Sequence, residues 1–322
     1  MHKSSNMRAF SSFFVVLLFC SISFGQKTEK IAFYNVENLF DTIDGPNDDK
    51  EFLPNAASVW DFKKYREKIN HIQQVIVDLN YPIAIGFCEI ENRDVLNDLR
   101  KKKKFKQYKI SHIDSEDPRG IDVGLLYNAS KLKLIDNGII RFTLPAEEKP
   151  STRDILWSKL ALKKDTLFIL VNHWPSRRSG TADSEPKRLF AAKNAKGFLD
   201  SILTINNSTK IIFMGDLNDY PEDKAPQLIS QVLIPQISKQ SGSLGGTHQY
   251  KGEWNILDHI MISEGMKKGK VKLIDKSGKI HEFPYLLEVY KGNKQPFRTY
   301  VGTKYLGGYS DHLPVSIDIL VP

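Results

Sequence analysis

Cysteine is nearly missing from this chain: Cys20 and Cys88 are the only two among 322 residues. Cys20 falls in an N-terminal segment that reads as removable, so Cys88 stands alone and an intramolecular disulfide is excluded. Stability then has to come from a core, which a chain of about 300 residues can supply. Also lacking is an apolar run of the roughly 20 residues that a spanning helix needs. The longest one, from Phe13 to Cys20, falls well short. No internal repeat, low-complexity linker or domain boundary interrupts the chain, and one domain over residues 26–322 is the simplest organisation. No apolar hairpin of the kind that inserts into a bilayer stands out. With 41% hydrophobic and 26% charged residues the composition is that of an ordered globular protein, so disorder is excluded as well.

What is present begins with Lys3 and Arg8 ahead of the apolar run, followed by the small residues Ser23 and Gly25. This order reads as a secretory signal over residues 1–25, implying a secreted or periplasmic protein. Leu17-Leu18-Phe19-Cys20 resembles a lipobox, but Phe19 is too bulky for the small residue that motif wants. The formal charge is +8, and the chain stays basic without Lys3 and Arg8. A basic balance points to anionic partners such as nucleic acid, phospholipid or phosphorylated metabolites. The densest basic run, Arg100 to Lys104, follows an apparent helix and reads as a solvated turn.

Apolar spacing predicts a strand over residues 30–36, a helix over 61–79 and a strand over 83–88 that delivers Glu89. Asn92 is placed to cap a helix burying Val95, Leu96 and Leu99. Strands follow over 121–127, 132–142, 155–162 and 167–171, with Lys163-Lys164-Asp165 as a hairpin turn. Pro186 is expected to open a second long helix. A strand over 211–214, a helix over 221–233 and strands over 256–262, 271–274 and 315–320 complete the chain. Two helix-then-strand halves separated by antiparallel strands predict an α/β (α+β) fold: two mixed β-sheets packed face to face with helices outside, a four-layer α-β-β-α sandwich.

Four short patches end in oxygen-rich or imidazole side chains, and most of them directly follow an apolar run: Asn35-Val36-Glu37-Asn38, Glu89-Ile90-Glu91-Asn92, Gly215-Asp216-Leu217-Asn218-Asp219 and Ser310-Asp311-His312. A buried strand that breaks off this way presents ligands at the rim of a sheet. Hard oxygen donors suit Mg²⁺, Mn²⁺ or Ca²⁺ better than zinc. Asp216 and Asn218, two apart on an extended turn, should point the same way, while Asp219 faces away as a turn former. Glu89 is preferred over Glu91 as a ligand, because Glu91-Asn92 resembles a helix start. Asp258 can fix the tautomer of His312 so that the other ring nitrogen takes a proton from water. His259 alternates away and reads as structural. Trp174, Trp254, Tyr300 and Tyr309 lie near these motifs as buried strand-end aromatics that could also stack on a base.

Taken with Asn172-His173-Trp174-Pro175-Ser176-Arg177 and Leu257-Asp258-His259, these motifs resemble, in content and order, the endonuclease/exonuclease/phosphatase superfamily, the deoxyribonuclease I-like proteins, over about residues 30–320. The resemblance implies a metal-dependent phosphoric ester hydrolase. It places Glu89, with Asn35 and Asp311 nearby, at a divalent cation, Mg²⁺ first and Mn²⁺ or Ca²⁺ as alternatives. His173 would stand beside the scissile phosphate as hydrogen-bond donor or general acid, oriented by Asp122. Arg153 and Arg177 would contact phosphate, and Asp216, Asn218, Asp258 and His312 would carry the hydrolysis, with His312 or Asp216 as the base. Cys88 departs from the pattern, since glutamine is common there. The substrate expected for a basic exported member is nucleic acid, cut by a monomeric endonuclease with no stable protein partner and no transmembrane segment. A sphingomyelinase-like phospholipid phosphodiesterase, a phosphomonoesterase and an inactive phosphate-binding module are the alternatives.

Overall fold

The computed structural model describes residues 26–144, 147–148, 152–178 and 180–322; the segment read as a signal lies outside the described residues. The chain runs through β1 (Lys27–Leu39), α1 (Phe62–Asp78), β2 (Ala84–Ile90), α2 (Arg93–Leu99), β3 (Tyr108–Ser111), β4 (Asp122–Asn128), β5 (Leu132–Ile140), β6 (Ile155–Leu162), β7 (Asp165–His173), α3 (Thr181–Ile205), β8 (Lys210–Asp216), α4 (Lys224–Ser230) and β9 (Ile234–Pro235). The hairpin β10 (His248–Tyr250) and β11 (Glu253–Asn255) precedes β12 (Asp258–Ile262), then β13 (Lys272–Leu273) and β14 (Lys279–Ile280). Two further hairpins, β15 (Leu287–Tyr290) with β16 (Asn293–Pro296) and β17 (Tyr300–Val301) with β18 (Lys304–Tyr305), lead into β19 (Val315–Val321).

One sheet has the order β13-β19-β1-β2-β4-β3, with β14 also on β19, and the other β5-β6-β7-β8-β12-β9. Each is mixed because each contains one parallel pair, β1 with β2 and β7 with β8. A parallel pair needs a crossover, and α1 and α3 supply them. Alternation along the strands sorts the side chains by layer. In β8, Ile212 and Met214 belong to the core shared between the sheets, while Ile211 and Phe213 pack with Ala191, Ala192, Ala195 and Leu199 of α3. The sheets approach closely at Gly86, where a Cβ would stand 2.7 Å from Met214 Sδ and 3.1 Å from Val171 Cγ2. Two packed mixed sheets with helices outside are the four layers expected from the alternation of elements. Among the described residues no helix is long and apolar enough to cross a membrane.

Element edges differ from the sequence pattern where polar contacts extend or cut a segment. α3 begins at Thr181 rather than at Pro186. Ser184 Oγ bonds Gly180 O at 2.5 Å, and Arg188 reaches Thr181 O and Ser184 Oγ. These bonds carry an extra turn ahead of Pro186, whose missing N–H removes one helical bond. The 221–233 helix shrinks to α4, and the strand foreseen from 256 begins at Asp258 because Thr247 Oγ1 accepts from Leu257 N and Asp258 N. The 132–142 strand stops at Ile140. Phe62, an apolar residue at the start of α1, is 64% exposed. The hairpin β15–β16 presents Val289 and Tyr290, 71% and 55% exposed, an apolar tip that the sequence reading did not single out.

Candidate active site

The central strands of both sheets discharge their polar residues at one end of the sandwich. Asn35 and Glu37 close β1, Glu89 closes β2, His173 closes β7 and Asp216 closes β8. Asp258 opens the antiparallel β12 in register with Asp216, and His312 stands three residues ahead of β19. Two register shifts fall in this region, between Asn35 and Leu39 and between Cys88 and Ile90. Glu37, Asn38, Glu89 and Asn218 adopt φ values of 50–60°. Left-handed backbone at non-glycine residues is uncommon and stores strain, and bulges re-aim side chains at sheet ends.

The groups converge. Asn35 Nδ2 donates to Glu89 Oε1 at 3.1 Å and to Asp216 Oδ2 at 3.0 Å, so one amide bridges the two sheets. Its oxygen accepts from Glu37 N, so the side of the amide turned to the two carboxylates is Nδ2. Glu89 Oε2 accepts from Asn38 N, and Asp216 Oδ1 from Asn218 N. Asn218 Nδ2 donates to Trp174 O. His312 Nδ1 and Asp258 Oδ2 are 2.7 Å apart, which turns Nε2 toward Asp216 Oδ2 at 3.8 Å. His173 Nε2 lies 3.8 Å from both Glu89 Oε1 and Asp216 Oδ2.

The electrostatics follow from burial and neighbours. Burial, reinforced by Asp258 and Glu89 and opposed by His312, raises the Asp216 carboxyl to about 7. Burial alone would push His312 down, but the carboxylates of Asp258, Asp216 and Asp311 overcome it and hold the imidazole well above its ordinary value. His173 goes the other way: burial and the guanidinium groups of Arg153 and Arg119 push it well below. Among the described residues its Nδ1 has no hydrogen-bond partner.

Two expected contacts are corrected. Asp122 does not orient His173; its carboxylate meets His112 Nε2 at 3.2 Å and Ser115 N at 3.0 Å. Arg177 turns from the cleft to Asp223 and stacks over the Tyr220 ring at 4.1 Å, because α4 lies on that side. Its neighbour Arg178 lines the cleft instead, with Arg119, Arg153 and Arg298. Arg153 is buried, held by Trp174 O at 2.8 Å and Asp117. Asp311 is paired with Arg298 at 2.9 Å through Oδ2, and its buried Oδ1 lies 4.0 Å from His312 Nε2 with no hydrogen-bond partner among the described residues. Glu91 accepts from Asp41 N, Asn92 caps α2, Asp219 pairs with Arg188 and His259 meets Asp219 O. Of the nearby aromatics, Trp174 is buried, and Tyr300 lines the cleft with Trp60.

Sequence reasoning passed over Glu37 and Lys68. Glu37 accepts from Arg298 Nε and Thr299 N, and burial raises it to about 7. Lys68 Nζ bonds Thr299 Oγ1 and Tyr309 O, and burial lowers it to about 8. Glu37 was visible inside the first motif; nothing local marks Lys68 or Arg298.

The donor set fits a hard divalent cation. Carboxylates Glu89, Asp216 and Asp311 face the same region, and among the described residues two buried carboxylate oxygens, Asp258 Oδ1 and Asp311 Oδ1, have no hydrogen-bond partner. Asp216 with Asp258 and His312, and His248 with Asp311 and His312, each bring possible ligand atoms within 4.8 Å of one another. The adjoining cavity of about 540 Å³ is walled by arginines and aromatic rings.

This fold and this strand-end constellation define a class, and comparison agrees: the chain belongs to the endonuclease/exonuclease/phosphatase family, whose model matches residues 30–320. It is accordingly a divalent-metal-dependent phosphoester hydrolase. Among solved structures, a functionally unknown conserved protein from Enterococcus faecalis V583 is 17% identical with a TM-score of 0.56, covering 90% of this chain and 98% of that one. D. rerio TDP2 complexed with single strand DNA product is 14% identical with a TM-score of 0.57 over 91% and 98%. The human Nocturnin catalytic domain with bound sulfate anion is 16% identical with a TM-score of 0.55 over 91% and 97%. These identities establish a shared fold. No curated protein matches the chain.

Proposed function

We propose that this protein is a secreted, monomeric endonuclease that hydrolyses phosphodiester bonds of DNA or RNA with Mg²⁺, Mn²⁺ or Ca²⁺ as cofactor. The observation that carries the reading is the His312–Asp258 pair at 2.7 Å, turned toward Asp216 beside Glu89 and His173. Asp258 fixes the tautomer of His312, whose Nε2 takes a proton from the attacking water. Asp216 and Asn218 position that water in line with the bond to be broken, and Asp216, held near neutrality, is the second group able to accept its proton. His173, kept neutral by burial, donates a hydrogen bond to a phosphoryl oxygen, and the leaving oxygen takes its proton from solvent. Glu89 and Asp311 would hold the cation, with Asn35 fixing the Glu89 and Asp216 carboxylates. When bound, the cation supplies positive charge against the phosphoryl oxygens and offsets the carboxylates that keep His312 protonated. Arg119, Arg153 and Arg178 present guanidinium groups to phosphate, and Tyr300 presents a ring face to a base.

Purified protein is incubated with each of the three cations and with plasmid DNA, RNA, sphingomyelin vesicles and a chromogenic phosphomonoester. EDTA-sensitive nicking of plasmid or cleavage of RNA supports the reading. A second reading, phospholipid hydrolysis, has the exposed Val289-Tyr290 tip in its favour, and turnover of sphingomyelin alone would select it. Turnover of the monoester alone, or of nothing, removes both.

A further inference from the structure

A lysine stands where the pattern of α1 calls for an apolar side chain. Tyr65, Lys68, Ile69, Ile72, Val75 and Ile76 recur at helical spacing and are buried, and Lys68 is 1% exposed. Burying an ammonium costs free energy that methionine or leucine at the same place would not. Its hydrogen bonds show what it holds: Nζ donates to Thr299 Oγ1 and, at 2.6 Å, to Tyr309 O. The hairpin β17–β18 lies between those two acceptors, so one ammonium ties both of its ends. The residues just outside the tie belong to the cleft. Arg298, next to Thr299, donates from Nε to Glu37 Oε1 at 3.0 Å and pairs through Nη2 with Asp311 Oδ2 at 2.9 Å. The other oxygen of Glu37 accepts from Thr299 N. Ser310 Oγ donates to Asn35 O and accepts from His312 N, so the same turn also places the imidazole.

We infer that Lys68 is a positioning residue for the hydrolytic site: by holding Thr299 and Tyr309 it fixes Arg298 against Glu37 and Asp311, and so sets where Asp311 and His312 stand. Its two hydrogen bonds reach none of the groups proposed to meet substrate or cation, and it acts through the backbone it grips. The inference rests on the roles proposed for Asp311 and His312 and on no particular substrate. Groups that orient the ligands of a metal change its affinity or the activity by about 10- to 100-fold when they are altered. A second tie between α1 and the same part of the chain, the Tyr285 hydroxyl donating to Asp78 Oδ2 at 2.7 Å, lies outside this relay and serves as its control.

Lys68→Met keeps the apolar stem and removes the donors, Thr299→Val removes one acceptor at nearly constant shape, and Tyr285→Phe breaks the control tie. For the whole chain and each variant, Tm is measured, then MnCl₂ binding to chelator-stripped protein by calorimetry and kcat and KM for plasmid nicking, both well below Tm. Lys68→Met should bind Mn²⁺ about tenfold more weakly and lose about tenfold or more in kcat, with KM within about twofold. Thr299→Val should move both the same way by about threefold, the scale of one hydrogen bond, and decides the matter if Lys68→Met does not fold. Tyr285→Phe should keep wild-type Mn²⁺ affinity and kcat whatever it does to Tm. If wild type nicks no plasmid, the endonuclease reading fails and the Mn²⁺ titration decides alone. No Mn²⁺ binding by wild type, wild-type Mn²⁺ affinity or kcat in the deciding variant, or an equal loss in Tyr285→Phe overturns the inference.

Discussion

Two imidazoles face the same cleft from opposite sheets, and burial does not distinguish them: His173 is 5% exposed and His312 is 6%. Their neighbours do. His312 sits among Asp258, Asp216 and Asp311 and is held protonated, whereas His173 lies against Arg153 and Arg119 and is held neutral. A group kept protonated by carboxylates is poised to exchange a proton once a cation offsets them. One kept neutral by burial and guanidinium groups can only lend a hydrogen bond. The comparison assigns different tasks to two residues that look alike in a motif, and it can be broken.

His312→Ala should have the largest effect, a fall in kcat of about 10³-fold in plasmid nicking with Mg²⁺, as expected for a group that moves a proton. His173→Ala should cost about 10²-fold, the scale of a single preorganised donor to developing charge. Equal losses would erase the proposed division of labour. Asp258→Asn sharpens the comparison through pH. His312 must be neutral to accept a proton, so the rate rises as pH climbs through its elevated pKa. Removing Asp258, the strongest of the groups that raise it, should move that limb by about one pH unit toward acid while lowering its plateau. A limb that stays in place would transfer the ionisation to another group, Asp216 first.

Much of this arrangement was legible in the chain because strand ends leave a local signature. The runs before Glu89 and Asp216 are apolar and short, and the polar residue after each marks the rim. Asp258 and His312 could be paired because their motifs carry a recognisable order. What could not be read was direction. Bulges at Asn35–Leu39 and Cys88–Ile90 reset which residue faces the cleft, so Glu89 and Glu91, equivalent by simple alternation, diverge. The partner of Asp122 is His112, fixed by strand register rather than by any motif. Arg178 lines the cleft where Arg177 was expected, because Asp223 and Tyr220 capture the Arg177 guanidinium, and only packing reveals it. Arg298 reaches the cleft from a hairpin connection whose sequence has no periodic signal.

A third imidazole combines burial with cationic neighbours, as His173 does, away from the cleft. His281, 5% exposed, bonds Ser316 Oγ at 2.8 Å, with Lys30 and Lys279 as its charged neighbours; burial, reinforced by both, lowers it to about 3. An unfolded histidine titrates near 6.5, so the unfolded chain takes up this proton first as pH falls. The contribution of neutral His281 is therefore fully present above about pH 6.5 and is lost as pH drops toward 3, at up to about 1.4 kcal/mol per pH unit for one proton. His281→Asn keeps a polar partner for Ser316 and removes the titration. Urea unfolding between pH 7 and 5 should then lose stability less steeply in the variant, by roughly 1 kcal/mol per pH unit over the lower half of that range. Parallel slopes would mean that His281 gains its proton inside the fold, and burial beside cationic groups would no longer explain why His173 stays neutral.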